Sequence, residues 1–284
     1  MPINKQIKQL FFLSILVTCS FYATLYAESP KVPNDQNNHF NAVKQHFLNR
    51  RVLSKKTVYA CLLPKNHPLQ PSLKQVFRDS KMFKSSEYFR RAGFDIKRGH
   101  KHLMVAAHPY IPGYLFKKFP DYTYPQLTQL ENFVRRVEGA KIVRNLIKKH
   151  KFKHLIVPQK WIYKLPSSFS RVERARSYIL IVENMDICSE AEVAAKYYNM
   201  DKEMLKELCT LLHALGGCDA YPRNQPFTRS GKIAFIDTEH VGGMPGHFQK
   251  HIIPALNPSL QSYALALWAQ LDEQAGIQPL KEEF

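Results

Sequence analysis

Between Pro125 and Lys151 apolar residues return at every third or fourth position: Leu127, Leu130, Val134, Val137, Ala140, Val143 and Ile147. That period draws one stripe down a helix, and no proline interrupts Gln126 to His150. A helix of this length must bury its stripe against a partner. The sequence supplies strands on both sides of it. Upstream, His102-Leu103-Met104-Val105-Ala106-Ala107 and Tyr114-Leu115-Phe116-Lys117-Lys118-Phe119 flank Pro109-Tyr110-Ile111-Pro112-Gly113, whose prolines and glycine predict the turn of a hairpin. Downstream, Leu155-Ile156-Val157-Pro158 and Tyr178-Ile179-Leu180-Ile181-Val182 predict two more strands. The expected fold class is α+β.

Further along, Ser189-Glu190-Ala191-Glu192 is a capping box that opens a helix to about Asn199. Asp201 caps the next helix, whose stripe is Leu205, Leu208, Leu211, Leu212 and Leu215, and Gly216-Gly217 stops it. Lys232-Ile233-Ala234-Phe235-Ile236-Asp237 predicts a strand ending on an acid, and a last helix runs from about Leu260 to Gln270. Before the hairpin, short helical patterns alternate with breaks such as Leu63-Pro64-Lys65-Asn66-His67-Pro68. Val76-Phe77, Met82-Phe83 and Tyr88-Phe89 offer apolar anchors there. This region reads as a helical extension packed against the main domain.

The N-terminus has the pattern of a secretory signal peptide. Lys5 and Lys8 precede an uncharged run over residues 10–26, and Ala27 is a small residue at a cleavage point. The chain is expected to be exported, with an uncleaved N-terminal membrane anchor as the alternative. Cleavage would remove two lysines and no acid, lowering the net charge from +18 to +16. An excess of that size attracts polyanions. The basic residues are spread along the chain without forming one block, which speaks against nucleic acid. Cys61, Cys188, Cys209 and Cys218 would remain, with no CxxC pair and no zinc spacing. Cys209 lies in the leucine stripe and reads as a buried free thiol.

The stretch that carries chemistry is Gly217-Cys218-Asp219-Ala220-Tyr221-Pro222-Arg223-Asn224 followed by Gly231-Lys232-Ile233-Ala234-Phe235-Ile236-Asp237. Asn224 stands five residues after Asp219, and Asp237 thirteen after Asn224. These intervals, behind a leucine-rich helix, resemble those of the protein-kinase-like superfamily over about residues 92–240. The resemblance implies a two-lobed fold with a small antiparallel sheet lobe and a truncated helical lobe. It would divide the chain into a signal peptide (1–27), a polar leader with helical extension (28–89), a sheet lobe (90–184) and a reduced helical lobe (185–284).

The resemblance also implies roles. Asp219 would position or deprotonate the acceptor hydroxyl, and Asn224 and Asp237 would bind Mg2+ or Mn2+. Lys117, or the adjacent Lys118, would contact the phosphates of ATP, oriented by Glu138 or by Glu131. Glu183-Asn184-Met185 would form the hinge along which the adenine lies. The departures are as specific. No GxGxxG precedes the hairpin, Gly217-Cys218 stand where His and Arg are usual, and Thr238-Glu239 follow Asp237. No Ala-Pro-Glu motif occurs after Asp237. The pattern is closer to atypical and small-molecule kinase branches than to regulated protein kinases. The expected function is an atypical phosphotransferase acting on a hydroxyl of a protein or small molecule. The alternatives are an exported pseudokinase serving as a binding or scaffolding module, and a basic polyanion-binding protein unrelated to kinases.

Overall fold

Tyr178–Glu183 is buried from Ile179 to Val182 without a break. Successive strand residues face opposite ways, so a strand apolar at every position needs cover on both faces. The computed structural model describes residues 54–78, 86–99, 103–118, 126–165, 178–244 and 246–276, all within the unit Asn37–Phe284. In chain order these form α1 (Lys55–Cys61), α2 (Gln70–Val76), α3 (Ser86–Arg91), β1 (Asp95–Gly99), β2 (Met104–Ala107), β3 (Tyr114–Lys118), α4 (Gln126–His150), β4 (Leu155–Ile156), β5 (Lys160–Lys164), β6 (Tyr178–Glu183), α5 (Glu190–Tyr198), α6 (Lys202–Ala214), β7 (Ile233–Ala234) and α7 (Pro258–Gln274). A π-helical turn, Phe248–Ile252, precedes α7.

Five strands make an antiparallel sheet in the order β1-β2-β3-β6-β5. One face carries Met104, Phe116, Tyr163, Ile179 and Ile181 and is covered by Leu73, Val76, Phe77 and Phe89 of the N-terminal helices and their ends. Phe77 is central, with ring centroids 5.6 Å from Phe94, 5.5 Å from Phe116 and 5.7 Å from Tyr163. The other face carries Ile162, Leu180 and Val182 and packs on Phe133, Val134 and Val137 of α4. The expected helical extension therefore forms one wall of the sheet. Its Met82-Phe83 anchor lies outside the described residues, as do residues 1–53 with the expected export segment and leader. No helix among the described residues is long and apolar enough to cross a membrane.

The other half of α4 contributes Ala140, Val143 and Leu146 to a second core with the leucines of α6, Val193 and Tyr197 of α5, and Leu260, Ala264 and Leu271 of α7. The caps form as expected. Ser189 and Glu192 make both bonds of the capping box, and Asp201 accepts from the backbone of Glu203 and Met204. Cys61, Cys188, Cys209 and Cys218 are buried and unbridged.

Five elements differ from expectation. The strands read at residues 155–158 and 232–237 pair in parallel over two residues each, Leu155 with Ile233 and Ile156 with Ala234. Pro158 has no N–H to extend the ladder, whose last bond runs from the Phe235 N–H to the Ile156 carbonyl at 2.9 Å. Strands β1 and β5 were not expected. Finally, α7 starts earlier and ends later, because Asn257 caps it and Pro258 occupies its first turn.

Candidate functional site

The leucine-rich helix α6 delivers the chain into the loop that holds Asp219. Gly216 and Gly217 turn it with φ of +68° and +91°, in the left-handed region that a Cβ disfavours. The Gly217 carbonyl then accepts the Gly242 N–H at 2.8 Å. Asn224 closes the loop. Its Nδ2 donates to the Asp219 carbonyl at 3.0 Å and to Asp219 Oδ2 at 2.9 Å. Beneath it, Gln225 is fully buried, and the Tyr197 hydroxyl donates to the Gln225 carbonyl at 2.8 Å.

The second interval closes in space by backbone bonds. The Ala234 N–H donates to the Pro226 carbonyl at 2.8 Å and the Ile236 N–H to the Asn224 carbonyl at 3.1 Å. Those bonds lie on the edge of the segment away from β4 and bring Asp237 out beside the Asp219–Asn224 loop. Burial, then the carboxylates of Asp219 and Asp237, push the Cys218 thiol up, so both acids act on the same buried sulfur.

Positive groups converge on Asp237 from the sheet and from α4. Lys117 is opposite Leu180 and Lys160 opposite Val182, so both stand on the α4 face of the sheet. Lys118 falls on the other face by strand alternation. Arg136 of α4 donates through Nη1 to Asp237 Oδ1 at 2.5 Å and through Nη2 to Glu239. Burial raises the Asp237 carboxyl, but Arg136 and then Lys117 outweigh it and hold it well below the usual carboxylate range. Arg136 itself is raised, because Asp237 and Glu239 overcome its own desolvation. Lys160 is lowered well below an ordinary lysine, by burial first and by Lys117 second. Its Nζ donates to the Thr238 hydroxyl at 2.8 Å and to the Ile236 carbonyl at 3.1 Å.

Residues 236–239 are thus pinned to α4. The Thr238 hydroxyl donates to the Arg136 carbonyl at 2.6 Å. Gly139 lies so close that a Cβ there would stand 2.0 Å from the Thr238 carbonyl oxygen. This glycine is required by close approach of two backbones.

The remaining expected residues are distributed as follows. Glu138 is half-buried on α4, two positions after Arg136. Glu131, its alternative, pairs with Arg135 at 2.6 Å one turn away. After β6, the Glu183 N–H is bonded to the Gln159 carbonyl at 2.9 Å and the Asn184 N–H to the Gly113 carbonyl at 2.8 Å. Met185 is half-buried directly after them. On its other side Asp219 Oδ1 is 3.3 Å from His247 Nδ1. There Tyr221 stacks on His251 at 3.9 Å with the Arg223 guanidinium 4.5 Å from the Tyr221 centroid.

Arg136, Lys160 and His247 were not singled out in the sequence. Arg136 had a signal, since it sits three residues from Phe133, four from Ala140 and seven from Val143, a charge inside an apolar stripe. Lys160 opens the β-forming run Trp161-Ile162-Tyr163, whose strand signal is short and edged by lysines. Comparison with family models, with curated proteins and with solved structures returns no match.

Proposed function

We propose that this chain is an exported, atypical kinase-like protein that binds a nucleoside triphosphate and serves as a binding module. The carrying observation is the convergence of Lys117, Lys160 and Arg136 on Asp237, beside the loop closed by Asn224 on Asp219. Two buried lysines and a buried arginine around two carboxylates favour a polyanionic ligand over a neutral one. In this reading Lys117 contacts the α- and β-phosphates. The segment Glu183-Asn184-Met185 borders the adenine. The N–H groups of Glu183 and Asn184 are already bonded within the fold, which leaves Met185 as the backbone group for the base edge. The five-stranded sheet and the helical half joined by the 183–188 segment are the two lobes of the proposed kinase-like fold. Export rests on the charge pattern of residues 1–27.

Phosphotransfer is the second reading. It is favoured by the Asp219 carboxylate, which is a quarter exposed and oriented by Asn224, as a base for an acceptor hydroxyl requires. The two readings separate in one experiment on the full chain. Thermal melting with and without ATP reports binding, because a ligand of the folded state raises the midpoint by mass action. ADP release reports turnover. A rise in midpoint that Lys117→Ala removes, without ADP release, supports the binding module. Release of ADP that Asp219→Asn abolishes would establish the phosphotransferase. A midpoint unmoved by millimolar ATP would refute the nucleotide site itself.

A further inference from the structure

The acid expected to hold a divalent cation already holds a cation of the protein's own. Mg2+ and Mn2+ take hard oxygen ligands and favour sites with uncompensated negative charge. The donor types are present: Asp237 has a second carboxylate oxygen, and Asn224 keeps its amide oxygen after donating through Nδ2. The charge is not. Asp237 Oδ1 is bound by Arg136 Nη1 at 2.5 Å, and the only other acid on that guanidinium among the described residues, Glu239, is bound by Nη2. Lys117 and Lys160 add positive charge from the sheet. The residues therefore do not fit a dication in this arrangement.

Nor is the arginine free to swing away. Its side chain is 7% exposed. Gly139 one turn along presses against the Thr238 backbone, Thr238 bonds the Arg136 carbonyl, and Lys160 bonds Thr238. These contacts tie the strand end to the helix. One donor of this buried group is still unspent, since Arg136 Nε has no hydrogen-bond partner among the described residues. A buried donor without an acceptor is costly in a native fold, and a phosphate oxygen is the acceptor that an arginine fork matches best.

We propose that Arg136 stands at Asp237 in place of a metal ion, so that this site takes the phosphate chain of a nucleoside triphosphate without a divalent cation. The inference rests on the nucleotide reading above, and its tests separate from that reading. For the full chain, the affinity for ATP measured in EDTA should match that in Mg2+ within about threefold, a small difference on the affinity scale. Asp237→Asn keeps an oxygen for Arg136 Nη1 and removes a negative charge from the phosphate site. It should retain ATP in EDTA at least as tightly as the parent chain. A metal ligand behaves oppositely: ATP would bind only with Mg2+, and Asp237→Asn would lose it. That result overturns the proposal.

Should ATP fail to bind under any condition, the nucleotide reading falls and the ion question is still decided. Mn2+ added alone and followed by electron paramagnetic resonance should remain in its free form in the presence of the chain. Mn2+ captured by the parent chain and released by Asp237→Asn would refute the role given to Arg136. Circular dichroism and melting of Asp237→Asn verify that the comparison is made on a folded protein.

Discussion

Gly139 is the residue at which the site is most sensitive to a single methyl group. A Cβ placed 2.0 Å from the Thr238 carbonyl oxygen meets backbone, which cannot rotate away as a side chain would. Gly139→Ala must part α4 from the Asp237 strand end. The expected cost is about 3 kcal/mol, the upper end for overpacking a tight contact, read as a lowered urea midpoint. The proposed nucleotide site predicts that the same variant loses any rise in midpoint with ATP, because Arg136 retreats with the helix. A stability equal to the parent's would show that the two backbones can separate freely.

Asp237 gives a pH dependence of known sign. Its folded carboxyl lies below the unfolded value, so the unfolded chain binds the proton first as pH falls. The stabilisation is complete above the ordinary carboxylate range, about pH 4, and is lost below it. Urea midpoints between pH 5 and pH 3 should fall in the parent chain and fall less steeply in Asp237→Asn. Equal slopes would mean that the carboxylate carries no such shift. These two residues illustrate what a sequence discloses. Asp219, Asn224 and Asp237 could be picked out by spacing because one loop and one strand carry all three. Arg136 lies 101 residues from the acid it binds, and no local pattern encodes that distance.

At the scale of elements, the caps and stripes were legible because each is decided within one turn or one helix face. The capping box at Ser189, the cap at Asp201, the leucines of α6 and the full span of α4 all follow from local bonding and period. Elements that depend on distant partners were not. The strand read at residues 232–237 keeps only Ile233 and Ala234 in a ladder, because Pro158 on the partner strand has no N–H to carry the pairing further. Strand β5 gains its identity from β6, against which Trp161, Ile162 and Tyr163 pair. The capping box has a local test. Ser189→Ala removes the acceptor of the Glu192 N–H and should cost about 1 kcal/mol, measured by chemical denaturation. An unchanged midpoint would mean that the tertiary contacts of α5 hold the helix without its cap.

Across the whole molecule, α4 is shared by two cores. Its first half seals the sheet and its second half joins the helical cluster, with Arg136 and Gly139 near the crossing. The segment before β1, which the sequence marks as a helical extension packed against the main domain, supplies the wall opposite α4. Phe77 fills the centre of that wall and is 1% exposed. Phe77→Ala should destabilise the chain by about 3–5 kcal/mol, the range for emptying an aromatic core position. A loss below about 1 kcal/mol would show the sheet to be stable without this cover.

The buried cysteines have a consequence for how the molecule can be watched. Among the described residues these are Cys61, Cys188, Cys209 and Cys218, none of them bridged and all buried. Burial pushes the Cys209 and Cys218 thiols up, away from the reactive thiolate. Thiol reagents therefore report openings of the fold, each cysteine keeping time for its own neighbourhood. Cys61 times the parting of the sheet from α4, Cys209 that of the leucine helix, and Cys218 that of the loop bearing Asp219. The order in which they are labelled ranks the local stabilities of these regions, as hydrogen exchange ranks amides. A ligand that tightens the Asp219 loop would slow the Cys218 clock while leaving the other two running.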